Sequence, residues 1–136
     1  MRLSEDRLFV LVRELVENVR EGIVILQGDL AAGKTTLVKA VVKAKGIADI
    51  VTSPTFSLQQ SYGDKIFHYD LYNHGLEHFI SLGMLEELDR EGLHFVEWGD
   101  DSLIEILNSA GMPSTLIKIK KVSDNVREYE VKYAHT

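Results

Sequence analysis

The sequence predicts an α/β fold in which a mixed sheet is flanked by helices and ends in an antiparallel hairpin. One observation is the short apolar run Ile23–Gln27, which is typical of a buried strand. It is followed by a glycine-containing loop and then by a helical segment over residues 35–44. Another is the alternation of apolar and polar side chains over residues 115–122 and 126–133, which is typical of paired strands. No linker long enough to divide the chain is present, so residues 1–136 are expected to form one domain.

The remaining elements follow from periodicity and turn residues. Apolar residues at helical spacing between Leu8 and Val19 predict an N-terminal helix, capped by Ser4 and ended by Gly22. Further strands are predicted at Ile47–Val51, Phe56–Tyr62, Lys65–Tyr69 and Leu93–Val96, with Gly63–Asp64 as a two-residue hairpin turn. Further helices are predicted over Leu76–Asp89, broken near Gly83, and over Ser102–Leu107.

Residues Gly28–Thr35 match the phosphate-binding loop pattern G-x-x-x-x-G-K-[ST] at every defined position. Backbone N–H groups of such a loop surround phosphates, and the helix N-terminus behind them adds partial positive charge. Lys34 can reach the β- and γ-phosphates, and the Thr35 hydroxyl can ligate Mg²⁺. A P-loop NTPase-type sheet that binds ATP and Mg²⁺ is therefore predicted. Its candidate nucleotide contacts are Gly28, Asp29, Leu30, Ala31, Ala32, Gly33, Lys34, Thr35 and Thr36.

Two acidic residues are candidate partners for the metal. Asp70 and Glu97 each come just after a predicted strand, and the carboxyl ends of strands are where an α/β sheet places its ligand site. Either carboxylate could hold Mg²⁺, directly or through water, or could position the attacking water. From spacing alone, Asp70 could equally be a strand-end cap and Glu97 an ordinary surface acid.

Composition narrows the classes of function. The chain has 21 acidic and 15 basic residues, a formal net charge of −6, which disfavours broad binding of nucleic acid. The small basic cluster of Lys118, Lys120 and Lys121 is interpreted as a solvated strand face. The chain has no cysteine, which excludes disulfides and thiolate chemistry and fits a cytoplasmic protein. No long apolar run follows the charged N-terminus, so neither a membrane span nor a signal peptide is expected.

Four motifs in order resemble the TsaE (YjeE) family of bacterial ATPases. After the loop come Ser53–Phe56 (Ser-Pro-Thr-Phe), His68–Tyr72 (His-Tyr-Asp-Leu-Tyr) and Glu97–Trp98. The loop alone is shared with many NTPases, whereas the three further motifs together are much more specific. From Gly28 to Trp98 the resemblance covers about half of the chain.

The resemblance implies a role in making threonylcarbamoyladenosine beside the tRNA anticodon, together with a TsaB–TsaD heterodimer. In that reaction the family's ATP hydrolysis is thought to reset the complex between turnovers. The resemblance also implies that Thr55 lies near the γ-phosphate, that Asp70 and Glu97 serve the metal or the water, and that Trp98 is a neighbouring site residue. Direct contact between this acidic chain and tRNA is not expected.

The chain departs from the usual family pattern at three places. Ala31 stands where glycine is frequent, Asn73 where arginine is common, and Gly99–Asp100 where Pro-Glu is frequent. None of these changes removes a phosphate or metal ligand, but Asn73 leaves any role of that arginine unassigned.

Two other classes of protein, small-molecule kinases and GTP-dependent switches, carry the same phosphate-binding loop. A small-molecule kinase would be expected to carry clustered arginines on a lid, whereas none of the six arginines cluster after the loop helix. A GTP-dependent switch would be expected to carry an N-K-x-D motif, and that string does not occur. His74 and His78, four residues apart, lack the H-E-x-x-H order and are interpreted as a surface or capping pair rather than a zinc site.

Overall fold

The computed structural model describes residues 1–29, 32–47, 59–72 and 75–134, and within them seven strands form one mixed sheet. The strands are β1 (Arg2–Ser4), β2 (Gly22–Gln27), β3 (Gln59–Tyr62), β4 (Ile66–Asp70), β5 (Leu93–Glu97), β6 (Ser114–Lys121) and β7 (Val126–Lys132). The helices are α1 (Phe9–Asn18), α2 (Lys34–Ala44), α3 (Gly75–Ser81), α4 (Met84–Leu88) and α5 (Asp101–Ser109).

The strands lie in the order β1-β7-β6-β2-β5-β4-β3. The strands β6, β2, β5 and β4 run parallel to one another. At the two sides of this group, β3 pairs antiparallel with β4, β7 pairs antiparallel with β6, and β1 pairs antiparallel with β7. The predicted α/β class, a mixed sheet with flanking helices and a C-terminal antiparallel hairpin of β6 and β7, is confirmed.

Apolar side chains fill both faces of the sheet. Alternate residues of β2 point to opposite sides, so Val24 and Leu26 belong to the cluster packed by α1 and α2. Ile23 and Ile25 belong to the cluster packed by α3, α4 and α5. Burial on both faces explains why β2 reads as a continuous apolar run rather than an alternating one. No helix among the described residues has the length and apolar character needed to cross a bilayer.

The N-terminal prediction was partly wrong. Residues Arg2–Ser4 form β1, which pairs with β7, and a single 3₁₀ turn, Glu5–Arg7, separates it from α1. The Ser4 hydroxyl donates to Asp6 instead of capping α1, and Gly22 starts β2. A three-residue strand carries little periodic signal, and its partner lies far along the chain, so local patterns could not reveal it.

Most of the other predicted elements are found with small shifts. The turn between β3 and β4 has three residues rather than two, because Tyr62 pairs with Ile66. The predicted break near Gly83 separates α3 from α4 and has a φ of +75°. Of the predicted strand Ile47–Val51, Ile47 lies outside any strand and the rest falls outside the described residues, as does Phe56–Leu58.

Parallel pairing gathers the functional candidates at one edge of the sheet. The loop that begins at Gly28 follows β2, and Asp70 and Glu97 are the last residues of β4 and β5. Asp70 and Glu97 are also register partners across the β4–β5 ladder. The carboxyl ends of β2, β4 and β5 therefore converge on the start of α2, as the sequence predicted.

A histidine buried in β5 makes the stability of this fold depend on pH. His94 is 0% exposed, its Nε2 lies 2.8 Å from the Arg90 carbonyl oxygen, and its Nδ1 lies 2.7 Å from the Tyr69 hydroxyl. Since a carbonyl only accepts, Nε2 carries the proton and Nδ1 accepts from Tyr69. Burial lowers the pKa of His94 below its ordinary 6.5 and raises the pKa of Tyr69 to about 12.

We expect the free energy of unfolding to fall as the pH drops below 6.5, the ordinary pKa of histidine. Below pH 6.5 the histidine of the unfolded chain becomes protonated, whereas buried His94 in the folded chain stays neutral. The stabilisation that results from this neutral histidine is therefore fully present above pH 6.5 and is lost as the pH falls toward the lowered pKa of the folded state. Urea unfolding of the wild type and of His94→Gln at about pH 7.5 and about pH 5.5 measures it. The glutamine variant should lose less stability on acidification, and an equal loss in both proteins would contradict the assignment.

Candidate functional site

The phosphate loop requires glycine at two positions, for a different structural reason at each. Gly33, at the N-terminus of α2, has a φ of +110°, in the region that favours glycine. At Gly28, a Cβ would lie 2.5 Å from the carbonyl oxygen of Ile119 on β6. Gly28 is therefore required by a close approach to the neighbouring strand, which lets the loop leave β2 beside β6.

Lys34 lies folded back across its own loop. Its Nζ donates to the carbonyl oxygens of Gly28, at 2.5 Å, and Asp29, at 2.9 Å, and the residue is only 5% exposed. Burial lowers the pKa of Lys34, while the carboxylates of Glu97, Asp29 and Asp70 act in the opposite direction. Lysine is mostly exposed in folded proteins, so the burial of Lys34 is unusual. The ammonium group is held at the mouth of the loop, with acids around it.

Trp98 covers this lysine. The Lys34 Nζ lies 4.0 Å from the centroid of the Trp98 ring, in a cation–π arrangement. Trp98 has a φ of +64°, the one positive value found for a non-glycine residue in the described part of the chain. Such a backbone conformation costs about 1–3 kcal/mol and is retained where the surroundings enforce it. Tyr72 also packs against the indole, with ring centroids 4.7 Å apart and the ring planes tilted by 38°.

Glu97 joins the start of α2 to β4. Its Oε2 accepts a hydrogen bond from the Thr35 hydroxyl at 2.9 Å, and the same oxygen contacts Nε2 of His68. Glu97 is 3% exposed, which excludes the interpretation as an ordinary surface acid. The contacts fix the carboxylate in one orientation, directed at the threonine that the loop motif associates with Mg²⁺.

His68 is itself held from its other side. Its Nδ1 lies 3.1 Å from the Tyr62 hydroxyl on β3, and that hydroxyl donates to Oε1 of Gln60 at 2.8 Å. A chain of side chains thus leads from the edge strand β3 through buried His68 to Glu97.

Asp70 fits both interpretations that its position left open. One of its oxygens accepts from the backbone N–H of Tyr72 at 2.8 Å, as a strand-end cap does. The same residue is the register partner of Glu97 and acts on the pKa of Lys34. Asp70 therefore lies beside the site while one oxygen stabilises the turn after β4.

The donor set around the loop fits a magnesium ion held jointly with nucleotide phosphates. The Thr35 hydroxyl and the Glu97 carboxylate are in contact, and Asp70 ends the adjacent strand. Hydroxyl and carboxylate oxygens, together with water and phosphate, are the ligands that Mg²⁺ takes in nucleotide sites. Within the described ranges, no three His, Asp or Glu side chains form a cluster that could hold a metal by themselves.

The structure brings together most of the predicted site residues. Trp98 lies over Lys34, and Asp70 and Glu97 lie beside the phosphate loop. The loop and the first turn of α2 contain the predicted residues Gly28, Asp29, Ala32, Gly33, Lys34, Thr35 and Thr36. Leu30, Ala31 and Thr55 lie outside the described residues, as do Ser53–Phe56, Asn73 and His74.

The departure at Gly99–Asp100 has a structural role of its own. The Asp100 side chain accepts from the N–H of Leu103 and caps α5, and a Cβ on Gly99 would lie 2.8 Å from Cγ2 of Ile25. The Gly99 carbonyl accepts from the side chain of Gln27 at 3.0 Å. These residues therefore attach the segment after Trp98 to β2.

Sequence reasoning left two functional neighbours unassigned. His68 belongs to the His68–Tyr72 motif, which by itself gives the histidine no separate role. Alternation along β4, which places His68 on the face of Asp70 and opposite Tyr69, was the available signal. Arg127, on β7, donates from Nε to the carbonyl oxygen of Ala32 at 3.0 Å. That contact spans 95 positions of the chain, and no local pattern indicated it.

Comparison with known proteins gives consistent matches over most of the chain. A family model described as "Threonylcarbamoyl adenosine biosynthesis protein TsaE" matches residues 3–129. The tRNA threonylcarbamoyladenosine biosynthesis protein TsaE of Treponema pallidum is 35% identical over 112 residues, which cover 80% of each protein. The protein of the same name from Bacillus subtilis is 37% identical over 109 residues, which cover 78% of this chain and 66% of that protein.

A solved structure has the same architecture. The crystal structure of YdiB from Bacillus subtilis superposes with a TM-score of 0.73 at 27% sequence identity, covering 99% of this chain and 84% of that one. The region matched by the family model contains the phosphate loop and the strands that carry Asp70 and Glu97.

Proposed function

Because this chain belongs to the TsaE family, we propose that it hydrolyses ATP with Mg²⁺ in the biosynthesis of threonylcarbamoyladenosine in tRNA, in complex with a TsaB–TsaD heterodimer. The observation that carries the proposal is the contact between Thr35 and buried Glu97 at the mouth of a phosphate loop that Lys34 crosses. The chemistry is transfer of the γ-phosphoryl group to water.

Lys34 binds the phosphates in this proposal. In the described state its ammonium group donates to the carbonyl oxygens of Gly28 and Asp29. A bound triphosphate offers stronger, charged acceptors, so Lys34 moves from the loop carbonyls to the β- and γ-phosphate oxygens. Its burial supports this role, because a buried ammonium group gains more from a phosphate partner than an exposed one does.

Thr35, Glu97 and Asp70 provide the metal side of the site. A bound Mg²⁺ would neutralise charge that develops on the phosphates during transfer. The Thr35 hydroxyl would be its protein ligand, and the carboxylates of Glu97 and Asp70 would hold its water shell or position the attacking water. His68 contributes by holding the Glu97 carboxylate in place, since a carboxylate that must rotate into position loses part of its effect.

We expect the chain to hydrolyse ATP slowly alone and faster with TsaB–TsaD. Arg127, an arginine in contact with the loop, donates to backbone carbonyls, and the partner could supply an arginine to the transition state. An arginine supplied in this way increases the rate by about 10³–10⁵ in related systems. Alternatively, the partner could contact Ser53–Phe56 and hold that segment over the γ-phosphate.

The measurement is phosphate release by the purified chain with and without purified TsaB–TsaD, at about 0.1 M and about 1 M salt. With a net charge of −6, the chain is suited to a basic partner surface, so the stimulation should weaken at high salt. A rate that is fast without the partner, or one that the partner does not change, would contradict the proposal that TsaB–TsaD stimulates ATP hydrolysis by this chain.

A nucleotide panel separates this function from the two other classes. Preference for ATP over GTP opposes a guanine-nucleotide switch, and release of phosphate to water opposes a small-molecule kinase. Transfer of the labelled γ-phosphate to a small molecule in a cell extract, with little free phosphate, would instead support the kinase.

A further inference from the structure

The contact between Arg127 and Ala32 joins the C-terminal hairpin to the phosphate loop. Arg127 lies near the start of β7, and its Nε donates to the carbonyl oxygen of Ala32 at 3.0 Å. Its Nη1 donates to the carbonyl oxygen of Ser123 at 2.8 Å, in the turn between β6 and β7. The planar guanidinium group thus spans two backbone segments, one on the loop and one on its own hairpin.

The direction of one phosphate-loop N–H follows from this contact. The peptide unit that carries the Ala32 carbonyl also carries the Gly33 N–H, and the described chain has no cis peptide bond. In a trans peptide the C=O and N–H bonds point in opposite directions. A donor that fixes the Ala32 carbonyl toward the hairpin therefore fixes the Gly33 N–H away from the hairpin.

Gly33 needs such an external restraint. Its φ of +110° lies in a region that glycine enters easily, and glycine also leaves that region easily. Its own carbonyl accepts the first helical hydrogen bond, from Leu37 at 3.0 Å, and the Ala32 N–H is bonded to the Asp29 carbonyl. Both neighbouring peptide units are thus held locally, whereas the unit between Ala32 and Gly33 is held by Arg127.

We infer that Arg127 is a positioning residue of the phosphate loop, which aims the Gly33 N–H at the nucleotide phosphates from the opposite side of the loop. The inference rests on the proposed function for the identity of the ligand, a nucleoside di- or triphosphate. N–H groups in such loops surround the α- and β-phosphates. Arg127 therefore supports ADP and ATP binding to the same extent, without touching either.

The test compares Arg127→Met and Arg127→Lys with Lys132→Met. Lys132 lies on the same strand with a side chain that is 62% exposed, so Lys132→Met removes one positive charge, as Arg127→Met does. Calorimetric titration should give Kd values for ADP and for ATP that rise together by about tenfold in Arg127→Met. Arg127→Lys should also bind weakly, because one ammonium group cannot span the two carbonyls, and Lys132→Met should bind like the wild type.

Three binding results would overturn the inference. Wild-type affinity in Arg127→Lys would mean that charge alone matters, and wild-type affinity in Arg127→Met would mean that the contact has no role. A loss confined to ATP would mean that Arg127 touches the γ-phosphate directly.

A nucleotide-free measurement separates this inference from the proposed function. In two-dimensional ¹H–¹⁵N NMR spectra, the Gly33 amide signal of Arg127→Lys should shift or broaden, while amide signals of the core strand β2 stay in place. A Gly33 signal identical to that of the wild type would overturn the inference. If the wild type binds neither ADP nor ATP, the proposed function fails, and the NMR result still decides whether Arg127 positions the loop.

Discussion

The substitution Lys34→Ala should abolish ATP hydrolysis while the chain remains folded. It removes the cation that meets the β- and γ-phosphates, and we expect the rate to fall by at least about 10²–10³. Nucleotide affinity should fall by about tenfold or more, since hydrogen bonds to charged groups contribute about 1.5–3 kcal/mol each. Phosphate release and titration with a fluorescent ATP analogue measure the two effects.

The matched control is Lys39→Ala, a lysine on the same helix with an exposed side chain. Both changes remove one positive charge from α2, so a general electrostatic effect would appear in both variants. In the folded protein, Lys34→Ala frees two loop carbonyls to bind water and removes a buried charge, so the free energy of unfolding should change by less than about 2 kcal/mol. Unchanged hydrolysis in a folded Lys34→Ala protein would contradict the phosphate-loop assignment.

The substitution Glu97→Gln should impair hydrolysis far more than ATP binding. The amide keeps the shape of the side chain but loses the charge that faces Thr35, so the loss should be concentrated in the transition state, where charge develops. We expect the rate to fall by about 10²–10³ and ATP affinity to change by less than about fivefold. Asp70→Asn should act in the same direction but less strongly, because one of its oxygens is engaged by Tyr72.

Glu105→Gln is the control for the lost charge, because Glu105 is exposed on α5. Single-turnover phosphate release, compared with the binding curve of the same fluorescent analogue, separates the chemical step from affinity. Normal hydrolysis in both Glu97→Gln and Asp70→Asn would place the catalytic acid elsewhere. A defect in Asp70→Asn alone would leave Glu97 as a structural partner of Thr35 and His68.

The parts of the fold that were predictable are those encoded locally. The run Ile23–Gln27, the loop and the helix after it are contiguous in sequence, and each carries its own signal: β-branched residues, two glycines, then helical spacing. β2 and α2 lie within one residue of their predicted bounds. β1 was not predictable, because a three-residue strand depends on its partner β7, across the whole chain.

In the candidate site, too, local sequence identified some residues, whereas other contacts depend on the tertiary structure. The motif identified Lys34 and Thr35, and strand ends identified Asp70 and Glu97, because those signals need only neighbouring residues. The contact of Glu97 with His68 depends on the register between β4 and β5, and the Arg127 contact depends on where the hairpin lies against the loop. Contacts of this kind can be identified only from the tertiary structure. The roles assigned to these residues stay predictions until the variants are measured.

The backbone of Trp98 places selection for stability and selection for activity in opposition. At a φ of +64°, a glycine would relieve local strain, so the conformation of the backbone alone favours losing the indole at this position. Its loss would uncover the ammonium group of Lys34 and let water reach the mouth of the loop. A lineage that keeps tryptophan here accepts a strained backbone in return for a covered lysine.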